Sequence, residues 1–180
     1  MRRTAAVVAT AGIVALVAGC GGAGKPAAGP LAVPSDAGSH HFGSPVRPGQ
    51  MSAISIVMRR VSTPVVLLGV HLLHPEDARG LRLRYAATTG LGLELAGQHG
   101  WNVRKWELRP LAGFVIPAHH YGGVVIGAAS KQRGLHEIRD FVVDYRIGST
   151  RYSAPMQTGF GLCVGNYRVW PVKCSSQSRG

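Results

Sequence analysis

Histidine is the residue type whose spacing most suggests chemistry in this sequence. The chain contains eight histidines, and the part after residue 50 contains two close pairs of them, His71 with His74 and His119 with His120. Imidazole nitrogen is a common ligand of both copper and zinc. The two pairs therefore give one of two hypotheses for function, a protein that binds copper or zinc.

This metal hypothesis requires side chains from distant parts of the chain to converge. On an extended strand, residues an odd number of positions apart point to opposite faces, so neither histidine pair forms a site on its own. Met58 and Met156 would add the thioether sulfur that copper accepts only if the fold carried them to the histidines. The competing interpretation places these histidines in loops and at strand ends, and on that basis we predict no bound cofactor.

Two segments resemble catalytic motifs, but each lacks an essential residue. Residues 19–25 read GCGGAGK, and Pro26 stands where a P-loop needs the Ser or Thr that binds Mg²⁺. His136 begins a sequence like the zinc motif HExxH, but Asp140 occupies the position of the second histidine. The nucleophile elbow GxSxG does not occur in the sequence. We therefore predict that the protein is not an enzyme.

The first 20 residues carry the clearest functional signal. Arg2 and Arg3 precede an uncharged stretch, residues 4–18, which is shorter than the roughly 20 residues needed to span a bilayer. The stretch ends in Val17-Ala18-Gly19-Cys20, which resembles the lipobox of bacterial lipoproteins. The resemblance implies that residues 1–19 are a signal peptide and that Cys20 carries a diacylglycerol. The alternative is an N-terminal transmembrane anchor.

The lipoprotein resemblance also predicts location and partners. A lipid on Cys20 would hold the protein on the extracytoplasmic face of the cell membrane. Loss of Arg2 and Arg3 with the signal peptide lowers the formal net charge from +12 to +10. Such a charge would attract an anionic envelope polymer or another envelope protein, while export argues against nucleic acid as a partner. The alternative is that the basic residues only keep the protein soluble.

The cysteine count fits the same extracytoplasmic location. The chain has three cysteines, and if Cys20 carries lipid, Cys163 and Cys174 remain. Two cysteines in an oxidising compartment predict a disulfide, which would stabilise the fold by about 2–3 kcal/mol through closure of a short loop. Two free thiols are the alternative.

Composition divides the rest of the chain into a linker and a domain. Residues 20–50 are rich in Gly, Pro, Ala and Ser and show no periodic apolar pattern, which predicts a flexible linker after the lipidated cysteine. Such a linker would have an r.m.s. reach of about 30 Å. From Met51 onward, short apolar runs begin, so we predict a β-sandwich ectodomain over residues 51–180.

Alternation of apolar and polar residues predicts the strands of this domain. It is clearest at 54–58, 81–85 and 141–147, while the apolar run 65–73 predicts a strand buried on both faces. Gly148-Ser149 predicts a two-residue hairpin turn. The pattern favours an all-β fold of about seven to nine short antiparallel strands, either a sandwich or a small barrel. The segment 134–152 resembles the late strands of immunoglobulin-like modules.

Basic residues give the second and favoured hypothesis for function. A shared sheet face would require ten of them to gather there with Trp101 and Trp106: Arg82, Arg84, Arg104, Lys105, Arg109, Lys131, Arg133, Arg139, Arg146 and Arg151. Such a face would bind an anionic partner without catalysis. The interpretation we favour for the charges themselves is a scattered, solvated set.

Overall fold

The chain is built almost entirely from β-strands. The computed structural model describes residues 29–31, 40–58, 60–90, 98–156 and 158–165, and within these ranges it contains no α-helix. A single turn of 3₁₀ helix covers Pro75–Ala78. The eleven strands are β1 His40–Val46, β2 Ser52–Met58, β3 Val65–Leu72, β4 Arg82–Thr88, β5 Gln98–His99, β6 Val115–Ile116, β7 Gly122–Ala129, β8 Gly134–Ile138, β9 Phe141–Ile147, β10 Thr150–Met156 and β11 Thr158–Val164.

These strands form three open sheets around a shared core. One sheet has the order β10-β9-β3-β6 and the facing sheet the order β4-β7-β2-β5, both antiparallel. The third has the order β1-β11-β8, in which β1 and β11 run parallel. The all-β sandwich is therefore confirmed. The eleven strands exceed the predicted seven to nine because two of them, β5 and β6, are only two residues long. The β1–β11 pair is parallel, whereas we predicted antiparallel strands.

The core lies where the period-two pattern predicts it. On β9, Phe141, Val143 and Tyr145 are fully buried, and Asp144 and Arg146 between and beyond them point outward. Ile54 and Ile126 face them from the opposite sheet in the same apolar cluster. Alternation therefore identified the inner face of these strands correctly, because one side of each strand packs against the core.

Strand β3 is a correction to the sequence analysis. We predicted burial on both faces, but Val65, Leu67 and Leu72 are buried while His71 is exposed. The register against β9 shifts between Leu67 and Gly69, where a bulge interrupts the ladder. The apolar run therefore forms a bulged strand that is buried on its inner face and only partly covered on its outer face.

The predicted hairpin at Gly148-Ser149 is confirmed. Ile147 of β9 pairs directly with Thr150 of β10, which leaves two residues in the turn. Gly148 has φ +58°, the left-handed conformation that such turns favour at a glycine.

The domain begins earlier in the chain than we predicted. Strand β1 lies within the predicted linker and pairs with β11 from His40 to Val46. Leu31 also belongs to the core and is only 1% exposed. A single leucine among Gly, Pro and Ala gives no periodic signal, and the pairing of β1 with a strand more than a hundred residues away leaves no local pattern. The boundary at residue 51 is therefore wrong.

Some predicted features lie outside the described residues. These are the signal peptide, Cys20 and Cys174. Cys163 is buried on β11, but its pairing with Cys174 stays a prediction. The described residues include no helix that is long and apolar enough to cross a membrane.

Candidate anion-binding site

A cleft of about 400 Å³ opens where three turns of the sandwich meet. We call it the Ser130 cleft after the residue that joins these turns. It lies at the end of β7, beside the turn that leads into β4 and the turn between β1 and β2. Its lining residues are Gly49, Gly80, Leu81, Arg82, Ala129, Ser130, Lys131 and Gln132.

Ser130 fixes the shape of this cleft. Its side chain is almost fully buried, and its hydroxyl donates to the carbonyl of Gly80 (3.0 Å) and accepts from the backbone N–H of Gln132 (3.0 Å). Its own carbonyl accepts from the N–H of Gly49 (2.6 Å). One residue therefore ties three separate chain segments together, so the cleft is formed before any ligand arrives.

Gly80 allows the close approach of Gln132. It has φ +73°, and a β-carbon on it would lie 2.6 Å from the side-chain oxygen of Gln132. Only glycine adopts this backbone conformation at low cost and leaves space for the amide. Gln132 thereby adds a neutral hydrogen-bonding group beside the two cationic side chains of the cleft.

Two cationic side chains line the Ser130 cleft, and two more belong to residues directly next to its lining residues in the chain. Arg82 and Lys131 line it, and Arg79 and Arg133, next to it in the chain, are also exposed. Within the described residues, none of the four has a carboxylate within ion-pair distance. Guanidinium and ammonium groups bind phosphate and carboxylate oxygens, so this arrangement suits an anion.

Arg139 engages the two carboxylates of the 3₁₀ turn, Glu76 and Asp77. Its guanidinium donates to Glu76 (2.8 Å) and to both oxygens of Asp77 (2.8 and 3.0 Å). The hydrogen bond from Arg139 holds the pKa of the Asp77 carboxyl below its usual value, so the carboxylate stays ionised and paired at neutral pH. This pairing limits the negative charge available to Arg79, which follows the same 3₁₀ turn.

The ten basic residues do not share one sheet face, which fits the scattered set of charges that we favoured. Arg82 and Arg84 lie on the outer face of the β4-β7-β2-β5 sheet, while Arg146 and Arg151 lie on β9 and β10. These strands belong to sheets on either side of the core, whose outer faces point in different directions. Alternation along one strand predicted the exposed arginines correctly, but it contains no information about which sheet each strand joins.

The two tryptophans serve the packing of the β4 sheet rather than a basic surface. Trp106 is buried in a second apolar cluster with Ala53, Ala86 and Val125 on the outer face of that sheet. Trp101 lies over Gly127, where a β-carbon would come within 2.6 Å of its ring. The aromatic rings are therefore used to cover the sheet, and only Trp101 keeps a partly exposed surface.

The two histidine pairs lie at opposite ends of β3. The backbone N–H of His119 donates to the carbonyl of Val61 before the strand, whereas His71 lies near the end of the strand. Six residues of extended chain from Val65 to His71 span about 20 Å. His74 lies beyond the strand, with its ring 3.5 Å from Glu76. The structure therefore does not bring the pairs together.

The other proposed metal ligands are also separated. Met58 and Met156 are buried in the apolar core, at 1% and 0% exposure. The described residues contain no group of three or more His, Cys, Asp or Glu side chains placed to hold a metal ion. His136 lies on strand β8, so the HExxH-like segment lacks the helix that its chemistry requires.

A serine, a histidine and an aspartate do meet on the outer face of β9 and β10. His71 Nδ1 lies 3.1 Å from one carboxylate oxygen of Asp144, and the Ser153 hydroxyl donates to the other. A hydrolytic triad places the histidine between the serine and the acid, because the imidazole takes the hydroxyl proton. Here the carboxylate stands between the other two groups, so the imidazole is not placed to take the serine proton.

Comparison with known proteins gives only distant structural likenesses. No family profile and no curated protein matches this chain. It resembles the VesB protease of Vibrio cholerae (TM-score 0.38, 10% identity, 69% of this chain and 30% of that chain) and a PapD-like domain of human CEP192 (0.40, 12%, 71% and 80%). It also resembles a family 123 glycoside hydrolase from Clostridium perfringens (0.35, 11%, 70% and 23%). The chain thus spans less than a third of the two enzymes.

Sequence reasoning identified Arg82 and Lys131 as basic surface residues but missed the site they line. The residue that organises the site is Ser130, which is buried and has no motif around it. Its partners Gly49 and Gly80 lie far away in the chain. Both glycines have positive φ, so they mark turns, but a glycine in the sequence does not indicate that two turns meet at a third segment.

Proposed function

We propose that this protein is a non-enzymatic binding module on the extracytoplasmic face of the cell membrane, anchored by a lipid on Cys20. We propose further that its Ser130 cleft binds an anionic group of an envelope partner. The observation that carries this proposal is the set of exposed cations around a preformed cleft, with no ion pair to any of them among the described residues.

The overall charge supports an anionic partner. The formal net charge is +12 for the full chain, with only 8 acidic residues against 20 lysines and arginines. An anionic polymer or an acidic envelope protein would be attracted over about one Debye length, roughly 8–10 Å at physiological salt. The cleft then supplies the short-range contacts that a diffuse positive charge lacks.

A purely binding role fits the chemistry of the cleft. The hydroxyl of Ser130 donates to a backbone carbonyl, and the nearby ring of His136 contacts the carbonyl of Gln132 instead of that hydroxyl. Neither group is placed to activate the other as nucleophile and base. Arg82 and Lys131 line the cleft and can hold an anion through charge-assisted hydrogen bonds.

Calorimetric titration tests the binding proposal. The protein would be residues 20–180 with Cys20→Ser, titrated with polyphosphate and, separately, with poly-glutamate. The double variant Arg82→Gln/Lys131→Gln removes two exposed contacts worth about 0.7 kcal/mol each, so its Kd should be about tenfold higher. The control Arg104→Gln/Lys105→Gln removes the same charge from the loop at residues 103–107 and should leave most of the affinity. Equal losses in both variants would refute a specific site.

Membrane fractionation tests the proposed lipid anchor separately from the cleft. Wild-type protein should fractionate with membranes, and its mass should reflect loss of residues 1–19 and addition of lipid. The Cys20→Ser variant should be released from the membrane or keep its signal peptide. If this variant stays in the membrane and is processed like the wild type, the lipid anchor on Cys20 is wrong. That result does not depend on what the cleft binds.

A further inference from the structure

We infer that residues 29–31 dock the tether onto the domain and thereby hold the β9–β10 hairpin end of the sandwich against the anionic headgroups of the membrane. This inference rests on the proposed lipid at Cys20. It goes beyond that anchor because it assigns a membrane-facing surface and a ligand, the lipid phosphate.

Leu31 is the first contact that carries this inference. Its side chain is 1% exposed and belongs to the same apolar cluster as Tyr145 and Phe141. Its backbone N–H donates to the hydroxyl of Tyr145 at 3.1 Å, across 114 residues of sequence. A leucine that adds its side chain to the core holds the preceding chain at a fixed point on the domain.

Gly29 is the second contact. It has φ +67°, and a β-carbon there would lie closer than van der Waals contact to the Tyr145 hydroxyl and to the ring of Tyr152. The two tyrosine rings stack on each other with centroids 5.2 Å apart. The backbone of Gly29 therefore lies directly against this pair, and only glycine fits the position.

The docking point sets how far the domain can stand from the membrane. Nine residues separate Cys20 from Gly29, and even fully extended they span at most about 30 Å. If the chain were first held at His40, twenty residues would reach about 70 Å. Docking at Gly29 therefore keeps the Tyr145–Tyr152 end of the domain within about 30 Å of the lipidated cysteine.

That end of the domain carries an unneutralised pair of arginines. Arg146 follows Tyr145 on β9, and Arg151 precedes Tyr152 on β10. The two arginines lie directly opposite each other and are both exposed. Like charges directly opposite destabilise an antiparallel pair. Within the described residues neither has an ion pair, and Arg146 donates only to the carbonyl of Gly148 at 2.9 Å.

Among the described residues, the neighbouring acid makes no ion pair with either arginine. Asp144 lies two residues before Arg146, but its carboxylate is already engaged by His71 and Ser153. A lipid phosphate between the two guanidinium groups would remove their repulsion and supply charge-assisted hydrogen bonds. The short tether, the arginine pair and the hairpin tip therefore favour one orientation on an anionic bilayer.

Energy transfer from the hairpin to the membrane tests this inference. The lipidated full-length mature protein would be reconstituted in vesicles of phosphatidylcholine, with and without phosphatidylglycerol. An azide-bearing residue at Ser149 would carry the donor dye, and labelled lipid would be the acceptor. We expect strong transfer for wild type, increased by phosphatidylglycerol.

Three variants separate the parts of the inference. Leu31→Ala releases the docked segment, and a twenty-residue Gly/Ser insertion after Lys25 lengthens the tether without touching the domain. Both should lower the transfer. Arg146→Gln/Arg151→Gln should abolish the increase caused by phosphatidylglycerol, whereas Arg104→Gln/Lys105→Gln should keep it.

Each outcome bears on the inference. Transfer that is unchanged by both Leu31→Ala and the insertion would overturn the docked tether. An equal response to phosphatidylglycerol in all variants would overturn the arginine surface. If the protein does not attach to vesicles at all, the proposed anchor has failed, and that result is distinct from either of these.

Discussion

Replacement of Leu31 by alanine tests whether the predicted linker is part of the folded domain. Leu31 is 1% exposed in the main core cluster. Truncation of a buried leucine to alanine costs about 2–5 kcal/mol through lost burial and the cavity left behind. Leu31 lies in a turn outside the paired strands, so its truncation removes buried surface without breaking a sheet ladder. We therefore expect a loss near the lower end, about 2 kcal/mol.

Urea denaturation followed by tryptophan fluorescence measures this loss on residues 20–180 with Cys20→Ser. With a slope of about 2 kcal/mol per molar urea, the midpoint should fall by about 1 M. Leu73→Ala is the matched control, because that leucine is 47% exposed and its loss should cost less than about 0.5 kcal/mol. Equal midpoints for the two variants would show that Leu31 is not in the core, and the docked tether would be wrong.

Two further predictions concern the sheet surface and the acid stability of the fold. Gly127→Ala should destabilise the domain by about 1–3 kcal/mol, because the new methyl meets the ring of Trp101. Gly69→Ala, whose nearest contact is 3.9 Å away, should cost clearly less. Equal thermal unfolding temperatures for the two variants would contradict this packing. The lowered pKa of Asp77 means that its pairing with Arg139 stabilises the fold above the unfolded pKa and ceases to do so as the pH falls through the folded pKa. The stability difference between wild type and Asp77→Asn should therefore be constant near neutral pH and disappear well below pH 4; a difference that grows in acid would have the wrong sign.

The sequence predicted those parts of the fold that depend on local pattern. Alternation on β9 and the glycine at Gly148 specify an inner face and a turn by themselves, and both were predicted correctly. The parallel pairing of β1 with β11 depends on contacts between chain segments far apart, and Leu31 reaches the core from a segment with the composition of a linker. Local composition therefore placed the start of the domain too late.

The candidate site follows the same division. The exposure of Arg82 and Arg84 could be predicted, because they alternate with half-buried Leu83 and Tyr85 on β4. The cleft could not be predicted, since it exists only where Ser130 joins two distant turns. Whether the basic residues share one face could not be decided from the sequence either, because strand patterns do not specify which sheet a strand joins.

The most direct test of the central claim is to locate where an anion binds. Amide chemical shifts of the mature chain with Cys20→Ser would be followed by NMR during titration with polyphosphate at physiological salt. The proposed function predicts saturable shifts centred on Gly80, Ser130 and Gln132, which surround the cleft, and their loss in Arg82→Gln/Lys131→Gln. Shifts spread evenly over all exposed basic residues, or centred on the loop at residues 103–107, would contradict a site in the Ser130 cleft.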